Sequence, residues 1–178
     1  MTTLTARQRI LQAALEIAGS TGLTECSVEQ ITTRAGCAKG LINYHFGSKD
    51  SLLAEAARTV REHRLEARLC ALSPGGTDGL DGLWRMLVAE TRTGEAAAWL
   101  GLVAHPATRS HAVFGKPELA RLHQAAARAL GFAALAPAME MVTLALDGIQ
   151  LSLLAGAPAG ELRESYDMLW LALLKADD

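Results

Sequence analysis

Cysteine is scarce in this chain of 178 residues. Cys26, Cys37 and Cys70 are odd in number and form no CxxC pair. That excludes a disulfide framework and leaves reduced thiols, with a redox-sensitive Cys37 as the alternative. Aromatic residues make up 4% of the chain, too few for a typical sheet-rich core. No apolar run reaches the ~20 residues that a membrane-spanning helix needs, so no membrane association is expected. The N-terminal residues, Met1 to Arg9, lack an apolar core behind their charges and do not read as a signal peptide. Enzyme motifs are missing as well: there is no GxSxG elbow, P-loop or HExxH, and no GxGxxG after a strand. Gly75, Gly76 and Gly79 sit in a linker and a helix start instead. His105, His111 and His123 are spaced by six and twelve, not by the four of a helical metal pair, so no metal and no cofactor is expected.

What is present is hydrophobic and helix-forming. Half the residues are hydrophobic, alanine and leucine dominate, and mean hydropathy is +0.17. The net charge of −2 is unevenly placed: residues 1–68 hold nine Lys/Arg against seven Asp/Glu, and residues 69–178 hold eight against twelve. A mildly basic head on an acidic body fits an N-terminal DNA module joined to something else.

The head can be read residue by residue. Thr5 with Gln8 makes a capping box, after which Ile10, Leu11, Ala14, Ile17 and Ala18 recur at helical spacing until Gly19 and Gly22. Ser27 and Gln30 repeat the box and open a short helix with Val28, Ile31 and Ala35 inward. Gly36 supplies a sharp turn. A third helix spans about residues 38–46, anchored by Ile42 and Phe46, and Ser48 caps a fourth that runs to about Cys70. Three short helices of which the last two flank a glycine turn make a helix-turn-helix.

Lys39, Asn43, Tyr44, His45 and Lys49 are the residue types that meet phosphates and base edges. Lys39 can reach a phosphate or a guanine edge, or stay solvated. Asn43 can pair with adenine in the major groove, and Tyr44 and Lys49 suit phosphates. Leu41 is either a thymine-methyl contact or packing, and His45 either a backbone contact or a structural bridge. The helix starting near Ser27 can add backbone donors toward phosphate. One head makes too few base contacts for specific binding to double-stranded DNA, so two copies are expected, their heads ~34–36 Å apart.

Ser73 to Thr77 is the clearest linker. Beyond it, helices are expected at about 77–93, 95–105, 117–131, 137–155 and 160–176, with a broken segment near residues 110–117. The fold class is therefore all-α: an N-terminal three-helix helix-turn-helix head, residues 1–50, on a larger C-terminal helical domain, residues 51–178.

The combination Ala35-Gly36, Lys39-Gly40, Tyr44-His45-Phe46 and Gly47-Ser48-Lys49-Asp50-Ser51-Leu52-Leu53 resembles the TetR/AcrR family of one-component transcriptional regulators. Ala38 stands where that family often has Ser or Thr, and Asn43 where it is often aromatic. The resemblance implies a cytoplasmic homodimer, most simply a repressor, released from a palindromic operator when a small molecule fills the C-terminal domain. It also implies that the last two helices form the dimer interface, with Leu146, Ile149, Leu153 and Trp170 among its apolar residues.

For the effector site the candidates are His63, Trp84, Trp99, Val103, Phe114 and Met141, each of which also reads as core, Trp84 more readily so than Trp99 and Phe114, which flank the broken segment. Glu90, Glu95, Glu140 and Asp147, together with the tryptophans, suit a lipophilic-cationic effector held by cation–π contacts; a solvated acidic face explains the same charges, and a small hydrophobic effector fits as well. A DNA-binding protein that acts by architecture or partner binding, without an effector, is the alternative.

Overall fold

The computed structural model describes residues 4–20, 26–131 and 136–176, with the side chains of 136–139 and 176 left aside. Among the described residues there is no strand. The helices are α1 (Ala6–Ser20), α2 (Val28–Ala35), α3 (Gly40–Phe46), α4 (Lys49–Leu72) and α5 (Gly76–Thr93), then α6 (Glu95–Ala104), α7 (Arg109–Ala112), α8 (Lys116–Leu130), α9 (Ala136–Leu154) and α10 (Ala159–Ala176). The expected stop at Gly22 lies outside the described residues.

Local chemistry sets the head's boundaries. The Thr5 N–H donates to Gln8 Oε1 at 2.9 Å and the Gln8 N–H to Thr5 Oγ1 at 3.2 Å. The same reciprocal box joins Ser27 and Gln30 at 2.9 and 3.1 Å. Gly36 ends α2 at φ 62°, a left-handed conformation that a side chain resists. The Ser51 N–H donates to Ser48 Oγ at 3.0 Å and caps α4.

The chain forms two compact units, and they do not follow chain order. The first comprises Met1–His63 and Gly94–Val113; the second comprises Arg64–Thr93 and Phe114–Asp178. The division therefore differs from the expected break at residue 50, and the Ser73–Thr77 segment is not a linker between units. The unit boundary falls within α4, and the turn after Leu72 joins α4 to α5 inside the second unit.

In the first unit, Ile10, Ala14 and Ile17 of α1 close on Ile31 of α2, Ile42 of α3 and Leu52 and Leu53 of α4. Ala98 and Leu102 of α6 complete this core. The two backbones meet at Gly19 and Gly94, where an added Cβ would lie 3.2 Å from the Gly94 carbonyl oxygen or 3.3 Å from that of Gly19. Glycine at both positions permits that approach.

In the second unit, Leu65 and Leu72 of α4, Leu83 and Leu87 of α5, Leu122 of α8, Val142, Leu146 and Ile149 of α9, and Tyr166 and Trp170 of α10 make the core. The residues expected at the interface lie mostly inside this core. Leu146 is 1% and Trp170 3% exposed, Ile149 is also buried, and Leu153 packs half-buried against them. Leu146, Ile149 and Trp170 are thus enclosed by their own unit, whereas Leu153 keeps part of its surface open. Among the described residues, the large apolar side chains exposed on the same two helices are Met141, Leu144, Leu151, Met168, Leu171 and Leu174, with Leu144 73% exposed.

Candidate functional site

The face of α3 and the residues flanking it form the polar surface of the head. Ile42 points inward, which turns Asn43 and Tyr44 out to solvent. Tyr44 is 80% exposed, an aromatic ring held outside the core. Lys39 precedes α3, and its Nζ donates to Glu29 Oε1 of α2 at 3.2 Å. Both side chains are well exposed, so the pair is weak and readily exchanged for a phosphate. Nothing in the spacing announced Glu29 as that partner, since the Gly36 turn brings it close.

Lys49 is half-buried at the first position of α4. His45 stands edge-on to the rings of Tyr44, at 4.9 Å, and Phe46, at 6.4 Å. Leu41 is half-buried and packs against the core. The Ser27 hydroxyl is exposed but already accepts from the Gln30 N–H. Beneath this surface the Arg7 guanidinium covers Phe46 at 5.0 Å and pairs with Glu55 at 2.6 Å. Burial, opposed by nearby Lys49, pushes the Cys26 thiol up.

Residues 10–56 match the model of a family described as bacterial regulatory proteins, tetR family. The HTH-type transcriptional regulator BetI of Escherichia coli is 32% identical over 130 residues, 70% of this chain and 63% of that protein. The chain belongs to the TetR family. The matched stretches span between 27 and 63% of the length of the curated relatives.

Solved structures carry the likeness along the whole chain. A transcriptional regulator from Rhodococcus sp. Rha1 shares the fold with a TM-score of 0.76, at 24% identity over 97% of both chains. The multidrug binding protein EbrR, complexed with imidazole, gives 0.65 at 28% identity over 94% of this chain and 96% of that one.

In this TetR-family chain the expected effector residues are divided between the two units. Trp99 and Val103 lie on α6 in the first unit, and Val103 packs against that unit's core. His63 is exposed on α4, and Met141, 68% exposed, faces outward from α9, so neither is enclosed as a pocket residue should be. In the second unit Trp84 tilts against Tyr166 at 5.3 Å and borders a groove of about 420 Å³ with Val88, Ala89 and Arg92. Another groove, of about 560 Å³, runs between Leu69, Leu72, Arg121 and Arg128. Phe114, Trp99 and Val103 line neither.

The aromatic faces that were to hold a cation carry the protein's own. The Arg163 guanidinium lies 5.8 Å from the Trp84 centroid and 5.5 Å from that of Tyr166, and Arg68 lies 5.2 Å from Phe114. Hydrogen bonds to Asp167 and then Asp81 hold the Arg163 pKa above its ordinary value. Burial raises the Tyr166 phenol, whose hydroxyl donates to the Leu80 carbonyl at 2.6 Å.

Two of the expected acids are also taken. Arg64 donates through Nη1 to Glu90 Oε2 at 2.9 Å and through Nη2 to Gln150 Oε1 at 2.8 Å. The Gln150 amide donates in turn to Glu90 Oε2 at 2.7 Å. Arg68 Nη2 donates to Asp147 Oδ1 at 2.9 Å. These partners lie up to 86 residues apart, beyond any motif.

Proposed function

We propose that the chain is a homodimeric DNA-binding transcriptional regulator, most simply a cytoplasmic repressor, which leaves a palindromic operator when a small hydrophobic molecule binds its helical body. The observation that carries this reading is the exposed face of α3, with Lys39, Asn43 and Tyr44 displayed by a helix whose other side is locked into the head. Asn43 reads a base edge there, Lys39 meets a phosphate or guanine, and Tyr44 and Lys49 hold the backbone.

The exposed apolar residues of α9 and α10 supply a surface for a second copy, which one head's few base contacts require. BetI, named as a transcriptional regulator, and EbrR, named as multidrug binding, support regulation and small-molecule control respectively. The occupied ring faces and paired acids favour the hydrophobic over the lipophilic-cationic class of effector.

The test is selection of bound sequences from a random duplex pool at physiological salt. A recovered palindrome supports the reading, and Asn43→Ala is then expected to relax one position of it by roughly 1–3 kcal/mol. No enrichment above background overturns sequence-specific regulation and favours an architectural role.

A further inference from the structure

Arg68 is fully buried but only partly used. One terminal nitrogen, Nη2, bonds to Asp147, and the plane of the group lies over Phe114. Its Nε and Nη1 are buried without a hydrogen-bond partner. Arg64, one turn earlier on α4, offers the contrast: both of its terminal nitrogens are bonded, to Glu90 and Gln150. Buried polar groups without partners are rare because the water they lose is not replaced. A guanidinium cannot relieve the mismatch by losing its proton.

The charges point the same way. Among the described residues of this unit, the fully buried charged groups are Arg64, Arg68 and Glu90, two cations against one anion. Asp147, 33% exposed, is shared between the two arginines at 2.9 and 3.8 Å. What the site lacks is an anionic oxygen acceptor shielded from water. On the same helix, Leu65 and Leu72 flank Arg68 one turn to either side, and Phe114 covers it, so the acceptor has to arrive on an apolar carrier.

We propose that Arg68 anchors the carboxylate of an amphiphilic organic acid, an apolar body with one acidic end, as this protein's effector. The proposal rests on the effector-controlled reading above and narrows it to one chemical class. The carboxylate accepts from the unused guanidinium N–H groups while its apolar part lies against Phe114 and the neighbouring leucines.

The experiment titrates the full chain, without DNA, against octanoate, octanol and octyltrimethylammonium, three probes built on an eight-carbon chain. Octanoate is expected to bind about tenfold or more tighter than the other two, and Arg68→Lys to weaken it by at least about tenfold, since an ammonium keeps the charge but loses the planar fork. A melting curve of Arg68→Lys shows whether the variant is folded. A second readout needs no variant: the arginine Nε–H resonance of Arg68 shifts on addition of octanoate.

Equal binding of the three probes, preference for the ammonium, absence of octanoate binding, or an unmoved Arg68 signal each overturns the assignment. Operator release is measured separately. Arg68-dependent octanoate binding that leaves the operator complex intact overturns octanoate-class induction and upholds the site. Release by the ammonium without octanoate binding upholds induction and overturns the site.

Discussion

Leu144 and Leu146 lie two residues apart on α9 and face opposite ways, 73% and 1% exposed, so they separate association from folding. If the exposed face meets a second copy, two-fold symmetry places Leu144→Glu in the interface twice. Burying a leucine side chain stabilises by about 1.5–3 kcal/mol, so two copies remove about 4 kcal/mol, roughly a thousandfold in the dimer dissociation constant. The protomer itself loses nothing, because that side chain is already in solvent. Leu146→Ala does the reverse: it opens a cavity in the core of α5, α8, α9 and α10 and costs about 2–5 kcal/mol of folding stability.

Sedimentation across a concentration series, with thermal melts at each concentration, distinguishes the two effects, since melting of a dimer depends on protomer concentration. Leu144→Glu is expected to sediment as a folded monomer, and Leu146→Ala as a destabilised dimer. Should Leu144→Glu associate like the parent while Leu146→Ala falls apart without losing stability, the interface belongs to the inward face after all.

Lys49→Ala is expected to weaken binding to all duplex sequences alike and to reduce the salt slope by about one, read from affinities at several salt concentrations. Gly36→Ala is expected to destabilise by about 1 kcal/mol in a denaturant melt, purely through the backbone, because φ is 62° and nothing lies within 4 Å of the added methyl. Iodoacetamide is expected to label exposed Cys70 first, half-buried Cys37 next and Cys26 last, since burial both shields the Cys26 thiol and raises its pKa. Mass-spectrometric mapping of the alkylated native protein gives that order. For Cys26 the sign is clear: a raised pKa leaves less thiolate at neutral pH and slows the reaction.

Helix starts and stops were legible because their causes are local. Thr5 with Gln8, Ser27 with Gln30, and Gly36 each set a boundary through atoms a few residues apart. The unit division was not, because α6 joins α1 through Gly19 and Gly94, and no local pattern marks a helix that packs against a segment some 75 residues earlier. The roles of Glu90 and Asp147 were hidden for the same reason, their arginines being supplied by α4. On α9 the difficulty was different. Apolar residues occupy both sides of that helix, so periodicity marked Leu144 and Leu146 alike without saying which faced inward.

The placement of α6 has a practical consequence for anyone who wishes to exchange heads between regulators of this kind. A cut at residue 50 or 63 looks clean on paper, yet it leaves behind Ala98 and Leu102, which seal the flank of α1. A transplanted head without residues 94–113 would carry a bare apolar strip and invite aggregation. The portable module is two segments of chain, and a working chimera has to graft both.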